Sequence, residues 1–318
     1  MLYDRLSRAA DEGLLTPPVL LVCPPDGADV SELPGPVAVY HESQPEHDRF
    51  ARVAEMRDSI EGPAGCVVVS LPRAREAGRD LVARAAELGV PILIDGQKTD
   101  GIDSMLKAVR ARGQVGAVLS KAHGKLFMVE GGDFADWKAA PRENADGFLT
   151  PPGGFSADGL DAGSRLLIEA LPPLSGHVAD LGAGWGALSA AVLRSEAVTI
   201  CDLVEADRPS LDCARVNVPD PRARFHWADA TAWTLGGSVD HVVTNPPFHK
   251  GRAGDPGIGR AFLTTAARIL APRGTLWMVA NRHLPYESHL ETLFGEVAEL
   301  PGSSAFKLFR TARPRRPR

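Results

Sequence analysis

The residues best suited to chemistry in this sequence are Asn245, Pro246, Pro247 and Phe248, which directly follow the apolar run Val242-Val243-Thr244. Each proline fixes its own φ and removes a backbone donor, and Pro246 confines Asn245 to extended geometry. A loop stiffened in this way can hold the Asn245 side-chain oxygen and the Pro246 carbonyl as a pair of acceptors. A planar amine placed between them donates two hydrogen bonds and turns its nitrogen lone pair toward an incoming methyl group. Phe248 offers a flat face for stacking a base or another planar amide. In isolation the four residues fit a proline-bounded turn with a core phenylalanine equally well.

A second group lies upstream. Val178-Ala179-Asp180-Leu181 reads as a strand, and Gly182-Ala183-Gly184-Trp185-Gly186 opens the helix that follows it. Glycines allow a sharp turn and close approach of a ligand, and a helix start presents unpaired N–H groups. The G-x-G-x-G spacing differs from the G-x-G-x-x-G fingerprint and argues against NAD. About twenty residues on, Glu205 ends the next strand, where a carboxylate can accept from both hydroxyls of a ribose. Asp229 closes the third strand and could accept from an adenine amine. Asp180, Gly182, Ala183, Gly184, Glu205, Ala206, Asp229, Ala230 and Asn245 form the candidate cofactor set. Any one of them has an ordinary packing explanation. Their placement at successive strand ends, where α/β sheets bind ligands, raises the set above that.

The elements that must position these residues alternate. In residues 1–135, strands are predicted at Val19–Val22, Val37–Tyr40, Cys66–Leu71, Pro91–Asp95, Val115–Leu119 and Lys125–Val129, and helices over His47–Arg57, Arg73–Leu88 and Ile102–Arg112. The alternation implies an α/β layer with a largely parallel sheet, but no strand here leads through a glycine-rich turn into a helix. Residues 136–155 are polar and rich in Gly and Pro, and read as a linker whose later part can fold over a pocket. Residues 156–318 restart the alternation. After a helix over Asp161–Leu171, five strands and four helices lead to a closing pair, Glu296–Leu300 and Ala305–Thr311, joined by a Pro301-Gly302-Ser303-Ser304 turn.

At 318 residues the chain is comfortable for two domains, and no apolar run approaches bilayer length. The four cysteines lack metal-ligand spacing, and no His/Cys cluster points to a metal. The N-terminus is too charged for a signal peptide, so a cytoplasmic protein is expected. The net charge of −5 conceals an asymmetry: residues 1–50 hold nine acidic and three basic side chains, and residues 251–318 five acidic and eleven basic. The basic end is suited either to phosphate contact or to solvation alone.

Several segments carry a family resemblance. The run Ser156-Ala157-Asp158-Gly159-Leu160-Asp161-Ala162-Gly163-Ser164-Arg165-Leu166-Leu167, the Asn245–His249 loop with Gly251, Ala280-Asn281 with Leu284-Pro285-Tyr286, and Phe306-Lys307-Leu308 resemble the bacterial rRNA guanine-N2 methyltransferases. The likeness is to the 16S small-subunit type, with 23S relatives close behind, and covers about residues 150–312. It implies two Rossmann-like methyltransferase-type α/β domains. The N-terminal one would be degenerate and without a cofactor site; the C-terminal one would carry a seven-stranded sheet ending in an antiparallel hairpin. It also implies S-adenosyl-L-methionine as cofactor, rRNA or the small ribosomal subunit as partner, and a monomer. Two positions depart from the pattern: Lys250 stands where an acidic residue is expected, and Glu205 replaces Asp. The rival readings are 23S rRNA methylation, protein glutamine N5 methylation, adenine-N6 DNA methylation, and an RNA-binding module with an inactive catalytic half.

Overall fold

A computed structural model describes residues 4–247 and 256–315, so Phe248, His249, Lys250 and Gly251 lie outside the described residues. The chain divides into two compact units. One holds residues 1–141 and 152–154, the other residues 142–151 and 155–318.

The first unit runs α1 (Asp4–Asp11), β1 (Val19–Val22), β2 (Val37–Tyr40), α2 (Gln44–Phe50), β3 (Glu55–Arg57), β4 (Cys66–Ser70), α3 (Arg75–Ala86), β5 (Ile92–Gln97), α4 (Ile102–Arg110), β6 (Gly113–Lys121) and β7 (Gly124–Gly132). Its seven-stranded sheet has the order β3-β2-β1-β4-β5-β7-β6. The first five strands are parallel, and the β6–β7 hairpin joins them antiparallel to β5. All four residues of β1, Val-Leu-Leu-Val, are buried, as expected of a parallel strand covered on both faces.

Two elements differ from the sequence expectation. The predicted helix over His47–Arg57 stops at Phe50, and Glu55–Arg57 instead extends the sheet beside β2. Val53, which seemed to continue an apolar stripe, is 66% exposed, so nothing buries that side of a longer helix. The helix α1 was not predicted. Beyond Leu6 and Ala9, it is tied down by Arg5, a fully buried side chain. Its Nε and Nη2 donate to the two Asp95 carboxylate oxygens at 2.6 and 3.0 Å, and Nη1 donates to the Lys121 carbonyl at 2.9 Å.

The second unit opens with a two-stranded sheet of β8 (Arg142–Glu143) and β9 (Leu149–Thr150), within the stretch read as linker. It continues with α5 (Ala162–Ala170), β10 (Gly176–Leu181), α6 (Ala187–Val192), β11 (Val198–Glu205), α7 (Arg208–Asn217), β12 (Ala223–Trp227), β13 (Val239–Thr244), α8 (Pro256–Ile269), β14 (Leu270–Asn281), α9 (Glu287–Leu293), β15 (Phe294–Leu300) and β16 (Phe306–Pro314). The sheet order is β12-β11-β10-β13-β14-β16-β15, with β16 antiparallel to both β14 and β15. Position for position this is the order of the first sheet. The two α/β domains and the closing hairpin stand as predicted, and the topology repeats although no sequence repeat is visible. Among the described residues no helix is long and apolar enough to cross a membrane, and no group of three or more His, Cys, Asp or Glu could hold a metal ion.

Candidate functional site

The glycines after β10 divide into two kinds. Gly182 and Gly186 have φ of 75° and 93°, and a Cβ on either would come within 2.9 and 2.8 Å of Phe262 and Val218. They are needed for packing. Gly184, with φ 56°, would point a Cβ into open space. There the backbone faces a crevice lined by Gly182, Ala183, Gly184, Trp185, Asp161, Ser164, Phe155 and Asn245. Gly182 and Ala183 are fixed by donating their N–H groups to the Val204 carbonyl, at 2.9 and 3.1 Å.

Glu205 accepts from Gly184 N with Oε2 and from Asp207 N with Oε1, each at 2.8 Å. Burial pushes its carboxyl above the usual carboxylate range, although these backbone donors oppose the shift. Each oxygen keeps a second lone pair, so Glu205 shapes the glycine loop and still offers acceptors. Glu205→Ala is therefore expected to weaken binding of the nucleoside cofactor by about 1–3 kcal/mol, the loss of a charged acceptor. Calorimetry on the purified protein measures this, and an unchanged affinity would remove Glu205 from the cofactor set.

Asp180 lies beneath the loop, fully buried, with Oδ2 accepting from Ser189 Oγ at 2.7 Å. Its Oδ1 has no partner among the described residues. Burial, with the Glu205 charge behind it and the Ser189 hydrogen bond against it, pushes the Asp180 carboxyl up to about 7. Asp229 accepts from Thr231 N and Oγ1 at 2.8 and 2.7 Å, which folds the turn after β12. Ala230 is buried beside it, and the Ala206 carbonyl accepts from Trp227 Nε1 at 2.8 Å. These three sit at neighbouring strand ends without lining the crevice around Gly184.

Asn245 directly follows β13 and is held by the start of α5. Asp161 is the N-cap of that helix, accepting from Gly163 N and Ser164 N at 2.8 and 3.2 Å. The same carboxylate accepts from Asn245 Nδ2 at 3.1 Å, and Ser164 Oγ accepts from it at 2.9 Å. A carboxylate cannot donate, so the amide NH2 must face Asp161 and its oxygen must face away. Pro246 is buried and Pro247 exposed. The motif reading assigned Asn245 its role but missed the two residues that set its orientation. Both lie in the Ser156–Leu167 run, more than eighty positions upstream, which carried the family resemblance but no sign that Asp161 and Ser164 meet Asn245.

Trp185 also lines the crevice. Its ring packs 5.0 Å from Phe148, and Nε1 donates to the Phe155 carbonyl at 2.9 Å. That bond anchors the end of the polar stretch at the crevice mouth, where the Phe155 side chain is 61% exposed.

The first unit permits a direct comparison. Cys23 N donates to the Tyr40 carbonyl as Gly182 N does to Val204, which aligns His41 with Glu205 and Pro25 with Gly184. His41 Nδ1 accepts from Ser43 N at 2.9 Å, and its Nε2 lies 3.2 Å from the Pro24 carbonyl. Burial lowers this imidazole to about 4, so it is neutral at physiological pH. Proline at the Gly184 position has no N–H to offer, and residues 23–36 form no helix.

Comparison with known proteins places these features in a family. Residues 146–310 match the methyltransferase small domain. The ribosomal RNA small subunit methyltransferase C of Shewanella baltica OS155 is 31% identical over 265 residues, covering 76% of this chain and 74% of its own. That of Shewanella oneidensis is 30% identical over 260 residues, with 76% and 75% covered. Among solved structures, the T. thermophilus 16S rRNA N2 methyltransferase in complex with AdoMet and guanosine matches 98% of this chain and 91% of its own. The TM-score is 0.79 at 25% identity.

Proposed function

Because the chain belongs to the ribosomal RNA small subunit methyltransferase C family, we propose that its second unit methylates the N2 amine of a guanine in 16S rRNA, with S-adenosylmethionine as donor. The observation that carries this reading is the clamp on Asn245, whose NH2 is committed to Asp161 and Ser164 and whose oxygen is thereby left as an acceptor.

The residues present fit the donor. The open side of Gly184 admits a ligand against the backbone, the remaining lone pairs of Glu205 suit ribose hydroxyls, and Asp229 suits an adenine amine. The orphaned Asp180 Oδ1 is a buried acceptor that a cationic, hydrogen-donating ligand would relieve. When bound, S-adenosylmethionine supplies an electrophilic methyl group. A guanine amine is not basic, because its lone pair is delocalised into the ring. With its protons held by Asn245 Oδ1 and the Pro246 carbonyl, the lone pair turns out of that conjugation toward the donor. The proton is lost after transfer, so no strong general base is required, and the loop acts by positioning and by excluding water. Phe248 is assigned to stacking the base on sequence grounds alone. The first unit is assigned no cofactor: His41 and Pro25 replace the acceptor and the donor that Glu205 and Gly184 provide. The protein is read as a cytoplasmic monomer that acts on rRNA or the small ribosomal subunit.

Incubation of the purified protein with labelled S-adenosylmethionine and small or large ribosomal subunits tests this, with nucleoside analysis of each rRNA. N2-methylguanosine in 16S rRNA is the expected product. Label in 23S rRNA, in N6-methyladenosine or in protein glutamine would replace the reading with one of its rivals.

The clamp makes a separate prediction. Asp161→Asn lets the Asn245 amide turn either way, and should slow methyl transfer about tenfold at saturating cofactor, as expected for a loosened catalytic group. Cofactor affinity should hold. A rate loss matched by an equal loss of cofactor affinity would mean that Asp161 supports the whole site rather than the orientation of Asn245.

A further inference from the structure

Ahead of α5 the second unit holds two short stretches, residues 142–151 with the β8–β9 sheet and residues 155–160, and one side chain ties the first of them to the glycine loop. Asn217, the half-buried last residue of α7, accepts from Leu149 N with Oδ1 at 2.8 Å. Its Nδ2 donates to the Leu149 carbonyl and to the Trp185 carbonyl, each at 2.8 Å. Both halves of the amide are thus committed to backbone groups, and the reverse orientation would set its oxygen against two carbonyls. Trp185 belongs to the glycine loop, and it meets the same stretches twice more, through the Phe148 ring and the Phe155 carbonyl.

The two stretches also reach the clamp on Asn245. Asp146, in the turn between β8 and β9, accepts from Leu160 N at 2.6 Å and from Arg165 Nη2 of α5 at 3.0 Å. Asn144 Oδ1 folds that turn by accepting from Asp146 N and Phe148 N at 3.0 and 3.1 Å. The buried Thr150 hydroxyl of β9 donates to the Ala157 carbonyl at 3.0 Å. Leu160 directly precedes Asp161, the carboxylate that orients Asn245. A line of hydrogen bonds and short covalent links therefore runs from the Trp185 carbonyl through Asn217, Leu149, Asp146 and Leu160 to the clamp. Phe148, Leu149 and Leu160 pack on Trp185 and Cys213 in a small cluster, separate from the two larger cores of this unit. So little apolar surface fixes this cluster that the polar ties set its position.

We propose that Asn217 is a positioning residue that couples the two ligands of the site. A cofactor that fixes the glycine loop at Gly184–Trp185 also fixes Leu160 and Asp161, and so sets the Asn245 oxygen for the acceptor amine. The inference rests on the reading of the crevice as a site for S-adenosylmethionine and guanine. Coupling between sites is reciprocal, so each ligand must raise the affinity for the other by the same factor.

Equilibrium binding of S-adenosylhomocysteine and of guanosine to the full chain, each measured alone and in the presence of the other, gives that factor. The unaltered protein should show coupling of about fivefold or more. Asn217→Ala should bring the factor close to unity, and should slow methyl transfer at saturating cofactor about tenfold. Asp146→Ala cuts the line at its far end, outside the crevice, and should do the same. The double variant should lose no more than either single variant, because both interrupt one path. A purely structural role would instead lower the melting temperature and leave the coupling of folded molecules intact. If Asn217→Ala fails to fold, Asp146→Ala decides alone. An unchanged factor in the folded variants, or two ligands that bind the unaltered protein without coupling, would overturn the inference and leave the functional reading in place. Failure of the unaltered protein to bind either ligand would overturn both.

Discussion

Asn245→Ala is expected to lower the single-turnover rate of methyl transfer by roughly 10²-fold or more, about 2.7 kcal/mol of barrier, with little change in cofactor affinity. The size follows from where the interaction acts. The Asn245 oxygen is preorganised by two hydrogen bonds from its own NH2, so no reorganisation is needed when the acceptor amine arrives. An acceptor fixed in this way gains most where the amine has turned its lone pair out of conjugation, so its loss falls on the transition state rather than on binding. Cofactor affinity is assigned to Glu205 and to the glycine loop, which lines the same crevice as Asn245. Rapid-quench kinetics with excess enzyme separates the two. A normal rate in Asn245→Ala would remove the loop from catalysis.

The second large effect is on stability. Arg5 is fully buried and gives two donors to Asp95 and one to the Lys121 carbonyl. Burial outweighs Arg5 in setting the Asp95 carboxyl above its usual range, a sign of how poorly this carboxylate is solvated. Arg5→Ala would leave that charge buried without its partner, and should cost about 3–5 kcal/mol, or roughly 10 °C in the melting of the first unit. Replacing both residues with apolar side chains of similar volume should recover most of the loss, because desolvation of two ions is removed along with their attraction. Thermal unfolding of the two single variants and the double one checks this. A double variant no more stable than Arg5→Ala would mean that the hydrogen bond to Lys121, not the ion pair, anchors α1.

What the sequence revealed and what it hid divide along local and non-local physics. The glycine loop, the proline-stiffened Asn245 loop and the closing hairpin were legible because each depends on the backbone limits of a few consecutive residues. The helix α1 was not, since it carries few apolar positions and is anchored by a residue ninety positions away. The end of α2 was misread because Phe50 and Val53 have helical spacing, yet only Phe50 finds a core to enter. The β8–β9 sheet escaped notice in a stretch whose polar, Gly- and Pro-rich composition suggested a linker, although the Asn217 side chain bonds both backbone groups of Leu149 there. The orientation of Asn245 was invisible for the same reason as α1: Asp161 caps its own helix by local rules, and only the fold brings it to the amide.

The most direct test of the account is a map of methylated guanines in 16S rRNA from cells that lack this protein, complemented either with the unaltered chain or with Asn245→Ala. The account predicts that one N2-methylguanosine disappears in the deletion, returns with the unaltered chain and stays absent or strongly reduced with the variant. An unchanged set of N2-methylguanosines in the deletion, or full restoration by Asn245→Ala, would contradict it.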